Sequence, residues 1–312
     1  MRKKISIITP SFNEENGIEE CYLAVKKIFT ENIQGYDYEH IFIDNCSKDK
    51  TVNILKSIAE KDINVKIIVN SRNFGLSKSP YYGMLQMHGD AAISVVADLQ
   101  TPTYLIPELV AKWEEGYKVV LAVRKSMSEG MLIKFLRNLF YKIISSISNI
   151  EQTKHFIGYG IFDKKIIDIM RGFDDPAPYF RGIISEIGFK KAIIEYDQPP
   201  RKYGKSKHSF FDLLELALLG ITNYSTAPLR VMSIVGLILS ILSFFIALLY
   251  FILKIIYWDN FNLGIAPVII GIFMIGSLQL LFLGIIGEYI KVLYDNIKKR
   301  PLVVEDERIN FD

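Results

Sequence analysis

Over roughly the first two hundred residues, short β-rich apolar runs alternate with stretches of helical periodicity. The pattern predicts strands at 5–9, 40–44, 65–70, 91–97 and 119–123, and helices at 17–29, 51–59, 79–87 and 105–115. Strands alternating with helices of this length imply right-handed βαβ units and a mainly parallel sheet, so an α/β nucleotide-binding domain is expected. The segment after the first strand reads Pro10-Ser11-Phe12-Asn13-Glu14-Glu15-Asn16-Gly17, with no Gly-x-Gly-x-x-Gly, and no Gly-x-x-x-x-Gly-Lys occurs anywhere. Dinucleotide-fingerprint and P-loop enzymes are thereby excluded.

The pattern changes near residue 228. Residues 231–253 and 263–287 carry no charged side chain. Each run is long enough to cross a hydrocarbon core of ~30 Å as a helix. The connector between them is short, which implies a hairpin with both ends on one side. Arg201, Lys202, Lys205, Lys207 and Arg230 precede it and Lys291, Lys298, Lys299 and Arg300 follow it, against Lys254 alone in the connector. The positive-inside rule then puts both termini and the large domain in the cytoplasm, with a bacterial inner membrane expected. Residues 210–219 are strongly apolar, with Asp212 and Glu215 on one helical face. They read as a helix lying on the bilayer or packed under the domain. The expected organisation is a catalytic domain at 1–207, a juxtamembrane amphipathic segment at 208–228, a transmembrane hairpin at 229–290 and a cytoplasmic tail at 291–312.

Composition alters this picture little. The 312 residues allow one catalytic domain and an appendage, and the net charge of +3 gives no reason to expect nucleic acid as a partner. The basic residues cluster beside the apolar runs, which points to anionic lipid or a lipid phosphate. Cys21 and Cys46 form neither a disulfide framework nor a metal-site spacing, in keeping with a reducing compartment. Ser233, Gly236, Ser240 and Ser243 on the first apolar run, and Gly276, Gly284 and Gly287 on the second, are small residues that let membrane helices approach closely. They serve either packing within the hairpin or association of protomers.

Candidate chemistry gathers at the predicted carboxyl ends of the strands: Asn13 and Glu14, Asp44 to Ser47, Arg72 and Asn73, then Asp98 and Gln100. Taken singly, these residues read as helix starts, caps and solvated charges. Together they occupy the edge where open α/β sheets bind ligands. Asp98 ends the run 91–97, and an extended Asp-x-Gln would aim two oxygen-bearing side chains to one side, where Asp98 and Gln100 could share a metal ion.

In order and spacing, Thr9-Pro10-Ser11-Phe12-Asn13-Glu14-Glu15, Asp44-Asn45-Cys46-Ser47-Lys48-Asp49-Lys50-Thr51, Ser71-Arg72-Asn73-Phe74-Gly75 and Ala97-Asp98-Leu99-Gln100 resemble glycosyltransferase family 2. Tyr179-Phe180-Arg181-Gly182, the basic run 201–207 and the terminal hairpin extend the likeness to the polyprenyl-phosphate glycosyltransferases, similar to dolichyl-phosphate mannose synthase and bacterial undecaprenyl-phosphate glucosyltransferases. The resemblance implies a GT-A fold. It implies that Pro10, Asn13, Glu14, Asp44, Arg72, Asn73 and Asp98 hold a nucleotide sugar, UDP-linked by preference, and that Asp98 and Gln100 hold Mg²⁺ or Mn²⁺. It also implies a homo-oligomer, and a lipid product that donates its sugar to cell-envelope glycans.

The chain departs from that family in places. Val96 and Thr101 stand where many members have Asp, and Asn45 stands where a second Asp is usual. Phe156-Ile157-Gly158-Tyr159-Gly160 replaces a Thr-Gly-Asp-Phe-Arg element that precedes a strand. A sugar hydroxyl acceptor would need the missing carboxylates as bases. A polyprenyl phosphate does not, because a phosphate monoester with a second pKa of ~6 is largely dianionic at neutral pH. Such an acceptor, undecaprenyl phosphate by preference, needs cations, and Arg181, Arg201, Lys205 and Lys207 with Ser206 are the candidates. The expected catalytic set is Asp98, Arg181, Arg201 and Lys205, and the expected reaction is inverting transfer of one hexose at the cytoplasmic membrane face. The alternatives are a catalytically silent membrane scaffold that keeps the fold, and a processive polysaccharide synthase. The second is disfavoured because its Gln-x-x-Arg-Trp motif is missing.

Overall fold

Runs that are apolar on both faces belong in a parallel sheet covered by helices on both sides. In β1 (Lys4–Ser11), Ile5, Ile7 and Ile8 are fully enclosed, and β2 (Asp37–Asp44) buries Ile41, Phe42 and Ile43 alike. A computed structural model describes residues 2–125, 153, 155–199, 220, 222–223, 225–256, 265–298 and 300–311. The other strands are β3 (Val65–Asn70), β4 (Ala91–Ser94), β5 (Val119–Arg124), β6 (Phe156–Asp163), β7 (Lys191–Tyr196) and β8 (Glu305–Ile309). They form one sheet in the order β7-β5-β6-β4-β1-β2-β3-β8. β1 to β4 run parallel and β5 is parallel to β7, whereas β6 and β8 oppose their neighbours.

Helices α1 (Ile18–Lys27) and α4 (Ile106–Glu114) cover one face, where Val25, Leu109 and Trp113 close over Ile5, Ile7 and Ile93. On the other face α3 (Gly75–Leu85), α5 (Lys164–Arg171) and α6 (Phe180–Glu186) set Tyr81, Met84, Ile167, Met170 and Ile183 against Ile8, Ile41 and Phe162. Leu55 and Ile58 of α2 (Thr51–Ala59) pack on Phe42 and Ile67.

Two further helices, α7 (Ala227–Ile256) and α8 (Ile265–Ile297), are long and apolar enough to cross a membrane, and their apolar side chains are exposed along most of their length. A Cβ added at Gly236, Gly276, Gly284 or Gly287 would meet nothing within 4 Å, so the hairpin does not close on these glycines. At 1.5 Å per residue the 33 residues of α8 span about 50 Å, well beyond a hydrocarbon core of ~30 Å. Its last turns carry Glu288, Lys291 and Asp295 and lie beyond the uncharged stretch that ends at Gly287.

Three departures from the sequence expectations bear on the surroundings of the site. Strand β4 stops at Ser94 rather than at residue 97, because the chain turns at Ala97 and Asp98. The segment 156–160 lies inside a strand rather than before one: a Cβ at Gly160 would sit 2.3 Å from the Val120 carbonyl, so only glycine lets β6 approach β5 there. The tail does not hang free. Ser71 donates its N–H to the Val304 carbonyl at 2.9 Å, and β8 then closes the β3 edge, tying the end of α8 to the catalytic sheet.

Candidate active site

Because β1 to β4 point the same way, their carboxyl ends meet at one edge of the sheet, and the antiparallel β6 and β8 begin there. Pro10 stands beside Ile43, and Ser11 ends the strand beside Asp44. The Asp44 carboxylate is fully buried and accepts hydrogen bonds from the Ser47 N–H at 2.8 Å, the Ser47 hydroxyl at 2.6 Å and the Ser11 hydroxyl at 3.2 Å. Burial pushes its pKa up, and these donors offset only part of that shift.

The loop after β1 is fastened to the loop after β2. The Asn13 N–H donates to Ser47 Oγ at 2.7 Å, the Lys48 N–H donates to Asn13 Oδ1 at 2.8 Å, and the Glu14 N–H donates to Thr51 Oγ1 at 2.8 Å.

Asn45 joins the second of these loops to the third. Its Nδ2 donates to Asn73 Oδ1 at 2.9 Å and to the Gly75 carbonyl at 3.2 Å, while its Oδ1 accepts from the Phe74 N–H and from Asn70 Nδ2. A carboxylate cannot donate, so Asn rather than Asp fits this position. Arg72 lies at the outer end of the edge. Its guanidinium rests 4.0 Å from the Phe74 ring centroid and donates to the Asn73 carbonyl at 3.1 Å.

Asp98 reaches the same edge and is almost fully buried. The extended Asp-x-Gln geometry is not formed. Leu99 takes a left-handed φ of 57°, its N–H donates to the Val96 carbonyl, and the Gln100 backbone N–H donates to Asp98 Oδ1 at 3.1 Å. The link between Asp98 and Gln100 is thus an Asx turn through the main chain rather than a side-chain pair. This turn is held from beneath by Tyr159 of β6, whose hydroxyl donates to the Pro102 carbonyl at 2.7 Å. Arg181, half-buried at the start of α6, donates from Nη1 to the Phe156 carbonyl at 3.4 Å and so sits at the β6 end of the edge. Arg201, Lys205, Ser206 and Lys207 lie outside the described residues, as does most of the 208–228 segment.

Backbone strain marks the same edge. Among the described residues five non-glycine positions have positive φ. Four of them, Asn13 (54°), Cys46 (66°), Leu99 (57°) and His155 (60°), follow β1, β2 and β4 or precede β6 at this edge. Each such residue costs on the order of 1–3 kcal/mol, and such strain gathers where function requires a fixed loop shape. Asn13 and His155 are residue types enriched in this conformation and so carry a sequence signal for it; Cys46 and Leu99 carry none. Tyr159 also escapes a reading from sequence, because its neighbours Gly158 and Gly160 suggest a turn.

Among the described residues no three His, Cys, Asp or Glu side chains converge as a metal cage. The Asp98 carboxylate is a hard oxygen donor at the edge that could serve as a single protein ligand. That suits a Mg²⁺-type ion, which takes one or two protein carboxylates and completes its shell with substrate phosphates and water.

Residues 6–187 match glycosyl transferase family 2. The Bacillus subtilis (strain 168) protein named uncharacterized glycosyltransferase YkcC is 35% identical, over 96% of this chain and 92% of its own length. The Escherichia coli (strain K12) prophage bactoprenol glucosyl transferase homolog is 33% identical over 96% and 97%, and the bactoprenol glucosyl transferase of Shigella phage SfX matches to the same extent. Among solved structures, glucosyl-3-phosphoglycerate synthase from Mycobacterium tuberculosis, in complex with Mn²⁺, uridine diphosphate and phosphoglyceric acid, is 17% identical. It covers 70% of this chain and 75% of that one with a TM-score of 0.47, too loose a likeness to carry its ligands across. With a family match over more than half its length and near-full-length relatives above 30% identity, this chain belongs to glycosyl transferase family 2 and is a glycosyltransferase with the GT-A fold.

Proposed function

We propose that the protein transfers glucose from a nucleotide sugar, UDP-glucose by preference, to a polyprenyl phosphate at the cytoplasmic face of the membrane. The observation that carries this reading is the union, in one chain, of a strained polar sheet edge with two apolar helices, the second tied back to the same sheet through β8. An enzyme so arranged can bring a sugar donor from water to a lipid acceptor in the bilayer. Relatives that match almost end to end and are named bactoprenol glucosyl transferases support the same sugar and acceptor class.

In this mechanism an acceptor phosphate oxygen attacks the anomeric carbon in line. The new C–O bond forms as the bond to the nucleoside diphosphate breaks, and the configuration inverts. The acceptor arrives as a dianion, so no side chain need take a proton. Pro10, Asn13, Glu14, Asp44, Arg72 and Asn73 hold the nucleotide. Arg181, with Arg201, Lys205, Ser206 and Lys207, holds the acceptor phosphate and relieves its repulsion from the donor. Asp98 would hold a Mg²⁺ or Mn²⁺ ion that neutralises charge on the departing diphosphate. The open glycine faces of the hairpin favour association of protomers over packing within one chain.

The test is incubation of the purified full chain with radiolabelled UDP-glucose and undecaprenyl phosphate, with and without Mg²⁺ or Mn²⁺. The expected result is a metal-stimulated, solvent-extractable labelled lipid, reduced about a hundredfold or more by Asp98→Asn. If no donor in a panel of nucleotide sugars yields a labelled lipid, the chain is a silent scaffold that has kept the fold.

A further inference from the structure

At the β3 end of the edge, where the tail crosses from α8 to β8, a cavity of ≈ 330 Å³ opens between the catalytic domain and the membrane helix. Arg72 and Lys78 line it from the loop after β3 and from α3, and Lys298 and Arg300 line it from the tail; Asp295 is the one carboxylate among the lining residues. Like charges from two separate elements face one space, an arrangement that repels itself unless an anion lies between them. Two of the cations are held in place by aromatic rings: Arg72 stacks on Phe74, and Lys298 sits 3.8 Å from the Tyr294 ring centroid.

We propose that this cavity is a second anion site, which binds a phosphate or diphosphate group and thereby clamps the tail to the Arg72 loop. It lies at the opposite end of the edge from Arg181, so it is separate from the acceptor-phosphate site proposed above, and of the residues proposed to hold the nucleotide it shares Arg72 alone. Such a group could come from a soluble molecule or from a lipid headgroup, and depth favours the soluble source. From Gly287, where the uncharged stretch ends, to Lys298 is about 16 Å of helical rise. The headgroup layer is only ~5–8 Å thick on each side, and a tilt of ~20° shortens the projection little.

The test uses the full chain in detergent without divalent metal and follows its thermal midpoint as pyrophosphate is added. In parallel it measures binding to nanodiscs with and without phosphatidylglycerol. The variant is Lys298→Ala with Arg300→Ala, and Lys298→Arg with Arg300→Lys is the conservative control. Pyrophosphate is expected to raise the midpoint of the wild type and of the control, with apparent affinity at least about tenfold weaker in the alanine variant. UDP binding should be unchanged in all three proteins. Tail-dependent binding to phosphatidylglycerol alone would keep the anion site and assign it to a headgroup. A rise in midpoint of the same size and apparent affinity in the wild type and the alanine variant, or no tail-dependent response to either pyrophosphate or phosphatidylglycerol, would overturn the proposal. So would a loss of UDP binding in step with pyrophosphate, since the cavity would then be part of the donor site. If the alanine variant fails to fold, a control that folds but has lost the pyrophosphate response while keeping UDP binding also overturns the clamp, because its charges are intact.

Discussion

Strand β2 carries a buried carboxylate near each end, and the two are treated in opposite ways. Glu39, 1% exposed, lies 3.2 Å from the Lys4 ammonium and 2.9 Å from that of Lys66, and it also accepts from the Ser6 hydroxyl and the His88 N–H. Burial acts to raise its pKa, but these partners outweigh it and bring the value down to about 2. Asp44, five residues on and about 17 Å away along the strand, is fully buried among hydroxyls and an N–H, with the Asp49 carboxylate nearby, and its pKa is pushed up. One end of the sheet spends cations on its buried charge. The other holds its charge with neutral donors, which leaves Asp44 able to exchange a hydroxyl for a ligand's N–H at little electrostatic cost. The difference separates a carboxylate neutralised by cations from one held by neutral donors, which is the one proposed above to hold the nucleotide.

The largest effect that sharpens this contrast should come from Glu39→Gln. It leaves Lys66, only 13% exposed at its side chain, beside a neutral amide, and should cost about 3 kcal/mol of unfolding free energy with the donor KM unchanged. Denaturant titration of the detergent-solubilised chain measures the first, and initial rates against donor concentration measure the second. A loss as small as that of a surface substitution would erase the distinction.

Acid should act on the same strand. His40 is fully buried between these carboxylates, with Nε2 2.9 Å from Thr9 Oγ1, and burial lowers its pKa to about 3 from 6.5. A base whose folded pKa is depressed stays neutral in the native state while the unfolded chain takes the proton. Stability is therefore complete above pH 6.5 and falls by about 1.4 kcal/mol per pH unit as pH drops from there toward 3. Glu39 adds its own loss between pH 4.5 and about 2, whereas the raised pKa of Asp44 works in the opposite direction. Unfolding curves at successive pH values should show the slope, and His40→Asn should flatten it above pH 4.5.

How much of this was legible in the sequence depends on what marks each element. Val65–Asn70 and Thr51–Ala59 appear with the bounds their patterns predict, because an apolar run between turn residues and an amphipathic nonamer each admit one reading. The arrival of Asn13, Asp44, Arg72 and Asp98 at one edge follows from the strand ends alone. The end of β4 was hidden, since Val95 and Ala97 are as apolar as the strand itself, and the left-handed Leu99 that breaks the Asp-x-Gln geometry has no compositional mark. β8 was hidden for the opposite reason. Glu305–Ile309 is an edge strand of alternating half-buried and exposed residues, mostly charged, and such a strand needs no apolar run to pair. Lys298 and Arg300 likewise read as positive-inside residues until the fold set them across a cavity from Arg72.

At the ligand edge a smaller effect on stability should accompany a larger one on binding. Asp44→Asn removes a charge that has no close cationic partner among its named neighbours, so it should cost only about 1 kcal/mol, the loss of a hydrogen bond or two. If Asp44 receives the donor's base, the donor KM should rise about tenfold, a change of about 1.4 kcal/mol. A drop in stability as large as that of Glu39→Gln, with the KM intact, would make the two carboxylates equivalent and remove Asp44 from the site.

The smallest effect should come from Tyr159→Phe, which tests whether neutral hydrogen bonds also fix the turn that carries Asp98. Tyr159 is almost fully buried, and its hydroxyl gives a single bond to the Pro102 carbonyl. Its deletion should cost about 1 kcal/mol of stability and leave the ring packed edge-on against Tyr196. The carbonyl it frees lies two residues beyond Gln100, so the strained turn at Leu99 gains room to relax. A loop that holds a catalytic carboxylate should then show a several-fold lower kcat at unchanged donor KM, because misplacement weakens transition-state stabilisation more than ground-state binding. Equal changes in both constants would mean that Tyr159 supports the donor pocket as a whole. An unchanged kcat would mean that the Asp98 turn is held by its own main-chain bonds, from Leu99 to Val96 and from Gln100 to Asp98, without help from β6.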